Sequence, residues 1–204
     1  MFERNPDQYW VFWPREAASK GIESGTSAME GAWDSAFNLT TSYRRDSDIP
    51  RPFGDANSAL QDARYDFHPD TQTWTERINY EDHIDQLMAQ KNTPGDSYVT
   101  WMVSNCESTR GAAVRWDYVN RLISSGLKID GFGECFDNVL IDSPWSTHSS
   151  WQTHWGPFAK YKFYFAFENS IHCNDYLSEK FWRNSLAQGL VPVVYGPHPD
   201  DVKV

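Results

Sequence analysis

Glu168, Asn169, Asp175, Tyr176, Glu179 and Lys180 crowd into one stretch, Tyr161 to Gly196, which reads YKFYFAFENSIHCNDYLSEKFWRNSLAQGLVPVVYG. A carboxylate can hold or take a proton, an ammonium can offset the charge of a phosphate, and amide and phenol groups can orient a polar ligand. Two residues elsewhere also stand in chemically useful positions. Arg115 falls in the first turn expected of a helix that follows a strand, where free backbone N–H groups and the helix dipole favour an anion. An arginine there can add a bidentate phosphate contact. Glu16 lies just past an apolar run, YWVFW, that stops at Pro14. Plainer readings stand beside these: taken alone, Arg115 is more often a solvated helix-surface arginine, and Glu179-Lys180 matches an ordinary surface charge pair.

The elements that must position these residues can be read from periodicity. Tyr161 to Phe167 alternates and is rich in aromatics, which predicts a strand. Leu177, Phe181, Trp182 and Leu186 then recur at helical spacing over Leu177 to Gln188, closed by Gly189. Val191, Val193 and Val194 predict a short buried strand that Gly196-Pro197 stops. Strand, helix and strand in this order make a right-handed parallel crossover, whose ligands bind beyond the carboxyl ends of the strands.

A second α/β unit precedes the first. Tyr98 to Val103 predicts a strand and Ser104 to Gly111 a polar loop. Val114, Tyr118, Val119, Leu122 and Ile123 give an amphipathic helix ending at Gly126, and Leu127 to Gly131 returns as a strand. Earlier still, Tyr9 to Trp13 reads as a buried strand. Residues 17 to 36, with Gly21, Gly25 and Gly31, predict a loop over a site. Residues 55 to 79 show no clear periodicity. Tyr80 to Lys91 sets Ile84, Leu87 and Met88 on one helical face, and Asn92 to Asp96 reads as an inter-domain joint. This divides the chain into 1–95 and 96–204. Cys135 to Pro157 reads as a long loop.

Composition narrows the function classes. The 204 residues are 40% hydrophobic and 16% aromatic, ample for a packed core. A net charge of −10 repels phosphate backbones, and no basic run is long enough for nucleic-acid binding, so an anionic ligand needs a focused cationic pocket. No apolar run approaches the roughly 18 to 20 residues that a bilayer requires, and no signal or anchor is read within the chain. Cys106, Cys135 and Cys173 do not have zinc spacing; one disulfide with a leftover thiol, or none, are both open. His148 and His154, six residues apart with no carboxylate between them, fit no ligand geometry well, and no metal is assigned. Asp46-Ser47-Asp48 looks like a paired-carboxylate metal motif but reads better as turn aspartates. Asn38-Leu39-Thr40 is a glycosylation sequon.

The long stretch from Tyr161 to Pro197 resembles the signature of the α-1,3-fucosyltransferases, which move fucose from GDP-fucose to N-acetylglucosamine. Three more segments agree in order. YWVFWPREAAS resembles the strand and catalytic-glutamate turn, FNLTTSYRRDSDIPRPFG the sequon-containing segment, and TWMVSNCESTRGAAVRWDYVNRL the opening of the nucleotide domain. The resemblance implies a GT-B architecture, two Rossmann-like α/β domains with parallel-sheet units, both incomplete in this chain, with the site between them.

It further implies an inverting mechanism in which Glu16 is the general base and Arg115 and Lys180 bind phosphate. Asn169 and Tyr176 would contact the nucleotide, and Glu179 the ribose. GDP-fucose would be the donor substrate, with no cofactor required, and a glycan containing N-acetylglucosamine the acceptor. The full-length protein is expected to be a lumenal Golgi membrane glycoprotein with an anchor before Met1 and more nucleotide domain after Val204. The chain looks like a fragment lacking both ends. The second reading is a truncated relative that binds nucleotide or glycan without turnover.

Overall fold

The structure is a computed structural model and describes residues 5, 7–14, 16–17, 36–68, 71, 73–76, 80–92, 97–136, 158, 160–170 and 173–202. The glycine-containing stretch 18–35, the joint residues 93–96, and His148 and His154 within 137–157 lie outside the described residues.

A four-stranded parallel sheet carries the second half of the chain. Its strands are β6 (Val99–Met102), β7 (Ile129–Phe132), β8 (Phe163–Phe167) and β9 (Val191–Tyr195), in the order β7-β6-β8-β9. Every pair is parallel, with Val99 opposite both Ile129 and Phe163, and Phe163 opposite Val191. Strand β8 shows why its sequence alternates. Tyr164 and Ala166 enter one core with Phe158, Leu177, Phe181 and Trp182, while Phe165 and Phe167 enter the other with Trp101 and Val119. Successive side chains point to opposite faces, and both faces are covered.

Helix α3 (Arg110–Ser124) makes the crossover from β6 to β7. Thr109 caps its start, its hydroxyl accepting from the Ala112 N–H, and Gly126 at φ 97° follows its end. The helix therefore begins earlier than expected. Arg115 sits in the second turn, not the first, and is 2% exposed, so neither the first-turn placement nor the solvated-surface reading holds.

Three other expectations change. The segment Leu177 to Gln188 is not one helix but a short one, α4 (Glu179–Trp182), followed by a 3-10 turn at Leu186–Gln188. Asn184 and Ser185, both buried, divert it: the Asn184 amide donates to the Tyr164 hydroxyl at 3.1 Å, and the Ser185 hydroxyl donates back to the Phe181 carbonyl. Strand β9 is an edge strand rather than a buried one, with Val191 56% exposed and Pro192 where an edge can tolerate it. Tyr9 to Trp13 yields only a two-residue strand, β1 (Val11–Phe12), exposed rather than buried. It pairs in parallel with β2 (Leu39–Ser42), which pairs in parallel with β3 (Ile49–Pro50).

Residues 55 to 79 hold structure that the sequence reading missed. Helix α1 (Ala56–Arg64) is followed by an antiparallel pair, β4 (Tyr65–His68) and β5 (Thr73–Glu76). Asp55 and Ser58 form a reciprocal capping box at the start of α1, with bonds of 2.9 and 2.8 Å. Helix α2 (Tyr80–Lys91) matches expectation, with Leu87 buried and Met88 half exposed. Its last residue, Lys91, is buried and donates to the Tyr161 carbonyl at 2.8 Å, tying α2 to the entry of β8.

Of the two cysteine possibilities, the disulfide is present: Cys106 and Cys135 are bonded, Cα atoms 5.6 Å apart, and Cys173 is free. The bridge joins the loop after β6 to the 3-10 turn Glu134–Phe136 after β7.

Candidate active site

The order β7-β6-β8-β9 means that the chain leaves β6 to one side for β7 and returns on the other side for β8. Loops diverge at such a switch point and leave a crevice beyond the carboxyl ends of the strands. The loop after β6 and the loop after β8 border that crevice, and the candidate residues are on them or packed against them.

Arg115 reaches both loops from behind. Its guanidinium donates to the Phe167 carbonyl at 2.6 Å and to the Asn105 carbonyl at 3.0 Å, and it lies over the Trp101 ring. Nε has no hydrogen-bond partner. Burial lowers its pKa from the ordinary arginine value.

Glu168, which the sequence reading noted without a role, is the anchor of the loop. It is fully buried, takes the Ser178 N–H on Oε1 and the Ser178 hydroxyl on Oε2, each at 2.8 Å, and stands 3.2 Å from Lys180 Nζ. A buried carboxylate is tolerated only when paired and hydrogen-bonded in this way. Lys180 also donates to Glu179 at 2.9 Å and to the Ser178 hydroxyl at 2.8 Å. Burial pulls its pKa down, but Glu168 and Glu179 together override that and hold the ammonium well above its ordinary value. Burial pushes Glu179 up, and Lys180 more than reverses it. The pair is therefore not an ordinary surface pair: the Lys180 side chain is only 14% exposed and is shared with a buried acid.

Asn169 is pressed against the start of α3. The Thr109 hydroxyl donates to its carbonyl at 3.1 Å, and a Cβ on Gly111 would stand 2.2 Å from that same oxygen, so only glycine permits the approach. Tyr176, 2% exposed, is gripped by Tyr43 and Phe53, ring centroids 4.9 and 5.7 Å away. Burial first, then Glu168, Glu16 and Glu179, drive its phenol pKa far above the ordinary value, so it stays protonated.

Glu16 comes from the opposite end of the chain. Its Oε2 lies 3.3 Å from the Tyr176 hydroxyl, 160 positions away, and that hydroxyl lies 3.2 Å from Asn169 Oδ1. Glu16 itself is exposed. Asp175, in the left-handed region at φ 62°, accepts from the Arg45 N–H at 3.0 Å and donates its own N–H to Asp201 at 2.8 Å. Thus Glu16, Asn169, Tyr176, Glu179, Lys180 and Arg115 belong to one neighbourhood, linked by Tyr176, Glu168 and the backbone of β8.

The remaining polar motifs stand apart. Asp46 pairs with Arg44, and Asp48 accepts from the Thr40 N–H and hydroxyl at 2.8 and 2.9 Å, which bears out the turn reading. No group of metal-ligating residues occurs among those described. Asn38 is exposed and its Oδ1 accepts from the Trp10 N–H at 2.9 Å.

A mixed α/β fold with parallel sheets and polar loops at a switch point fits the GT-B expectation. The profile described as glycosyltransferase family 10 (fucosyltransferase) C-term matches residues 91–204, and that of the fucosyltransferase N-terminal region matches 1–54. The chain belongs to glycosyltransferase family 10, the fucosyltransferases. It is 32% identical over 95% of its length to a 3-galactosyl-N-acetylglucosaminide 4-alpha-L-fucosyltransferase of Bos taurus, covering 41% of that protein. It is 33% identical over 96% to the alpha-(1,3)-fucosyltransferase 4 of Bos taurus, covering 40%, and 32% identical over 95% to a 4-galactosyl-N-acetylglucosaminide 3-alpha-L-fucosyltransferase of Homo sapiens, covering 42%. The chain thus spans about two fifths of the length of the curated relatives it matches. No solved structure matches it. Among the described residues, no helix is long and apolar enough to cross a membrane.

Proposed function

We propose that the chain is the part of a GDP-fucose-dependent α-1,3-fucosyltransferase that brings an acceptor-side base to the donor loop. One observation carries the reading: the Tyr176 hydroxyl lies within reach of both Glu16 and Asn169, so residues from 1–54 and 91–204 meet at one point. In this reading 1–95 is the acceptor side and 96–204 the donor side.

Glu16 takes the proton of an N-acetylglucosamine hydroxyl as that oxygen attacks the fucose anomeric carbon from the face opposite GDP, which inverts the centre. A positioned general base contributes roughly a hundred- to ten-thousand-fold. Lys180 offsets the charge growing on the leaving diphosphate, and Arg115 supports it from behind through its remaining N–H groups, so no metal cofactor is required. Glu179 holds the ribose, and Asn169 and Tyr176 border the nucleotide. The relatives' names include both 3- and 4-linkages, and the α-1,3 assignment here rests on the resemblance of the motif. The full-length protein would work in the Golgi lumen, anchored to the membrane and glycosylated at Asn38.

The test is Glu16→Gln in the full-length protein. It keeps size and hydrogen bonding and removes basicity, so turnover should fall on the order of a hundredfold or more with GDP affinity nearly intact. Near-normal turnover per folded molecule, measured beside GDP binding by calorimetry, would remove Glu16 from the mechanism.

A further inference from the structure

We propose that Tyr176 is the positioning residue for Glu16, its hydroxyl relaying the order of the donor loop from Asn169 to the carboxylate. This rests on the transferase reading above. Proton accounting leads to it. The hydroxyl has a single proton but stands 3.3 Å from Glu16 Oε2 and 3.2 Å from Asn169 Oδ1, two acceptors. The amide oxygen and nitrogen of an asparagine are assigned by their partners. With the Asn169 amide turned, Nδ2–H donates to the phenol oxygen and the phenol proton is left for Glu16. The chain of donors then runs one way, from Asn169 to Tyr176 to Glu16.

The rest of the geometry suits a relay and not a second base. The ionisable groups facing the hydroxyl are Glu16 from the first segment, Glu168 and Glu179 from the two ends of the donor loop, and Arg115 from α3, with the Tyr43 ring alongside. All three acids keep the phenol protonated. The ring is clamped between Tyr43 and Phe53, so the hydroxyl has little freedom and presents a fixed point to the exposed Glu16 carboxylate. Asn169 is in turn seated on Thr109 and Gly111. Both hydroxyl contacts are longer than the roughly 2.7 Å of a strong O–H···O bond. A donor that orders Asn169 draws the relay tight, so the base is aligned only when the donor is present.

The experiment is Tyr176→Phe in the full-length protein, which removes one oxygen and keeps the ring. Turnover should fall about tenfold, with the loss in kcat rather than in donor KM, and Tyr176→Phe should add little to Glu16→Gln in the double variant. A loss that multiplies fully with that of Glu16→Gln overturns the relay, as does an unchanged kcat, or a loss carried by donor KM and GDP affinity alone, which would make Tyr176 a donor ligand only. Turnover indifferent to Glu16→Gln overturns the transferase base instead.

Discussion

Lys180 and Arg115 look interchangeable as cations in the sequence, yet their surroundings give them different work. Lys180 is held by Glu168 and Glu179 at the edge of the loop, while Arg115 holds the Phe167 and Asn105 carbonyls from beneath. Replacing Lys180 with Ala should lower kcat/KM for the donor about ten- to hundredfold, since a charge-assisted contact is worth roughly 1.5 to 3 kcal/mol. Arg115→Ala should also cost stability, because the buried Phe167 carbonyl left unpaired costs about 1 to 3 kcal/mol. For a chain of this size that lowers the Tm by roughly 2 to 12 °C, read by calorimetry. An unaltered Tm would show that Arg115 braces nothing. The motif made Glu179 and Lys180 legible. It did not disclose Glu168 as an anchor, because a Glu between Phe167 and Asn169 resembles any loop acid until Ser178, ten positions on, is known to return to it.

Helix α3 shows how an element serves the site. Alanine is ordinarily favoured over glycine inside a helix by about 1 kcal/mol. At Gly111 the added Cβ would collide with the Asn169 carbonyl at 2.2 Å. Gly111→Ala should therefore lower the Tm and weaken GDP binding several-fold by displacing Asn169; a raised Tm with intact GDP affinity would mean that helix propensity wins. The parallel crossover, α3 and strands β6 and β7 were legible because their apolar residues keep a clean period, and α2 because Ile84, Leu87 and Met88 fall on one face before a turn-rich stretch. The segment after Ser178 was not, since Asn184 and Ser185 spend their polar groups on Tyr164 and Phe181 in place of the helix ladder. Helix α1 escaped notice because its apolar positions, though helically spaced, are three alanines and one leucine, which carry little hydrophobic weight in a sequence pattern.

Over the whole molecule, the pairing of Cys106 with Cys135 could not be read from three cysteines, because it depends on β6 and β7 lying side by side with Met102 opposite Phe132. Closing a loop of 29 positions is worth about 3 to 4 kcal/mol on the chain-entropy account. Replacing both cysteines with Ser should lower the unfolding free energy by up to that amount in a denaturant titration. No measurable change would mean that the β6–β7 pairing already fixes these loops in the unfolded ensemble.

The meeting of Tyr43, Phe53 and Arg45 with Tyr176 and Asp175 also sets a timetable. A ribosome delivers residues in order at about 5 to 20 per second, so the 130 positions between Arg45 and Asp175 correspond to roughly 7 to 26 seconds of translation. During that interval the aromatic faces of the first segment have no Tyr176 to cover them, and the nascent chain offers them to chaperones.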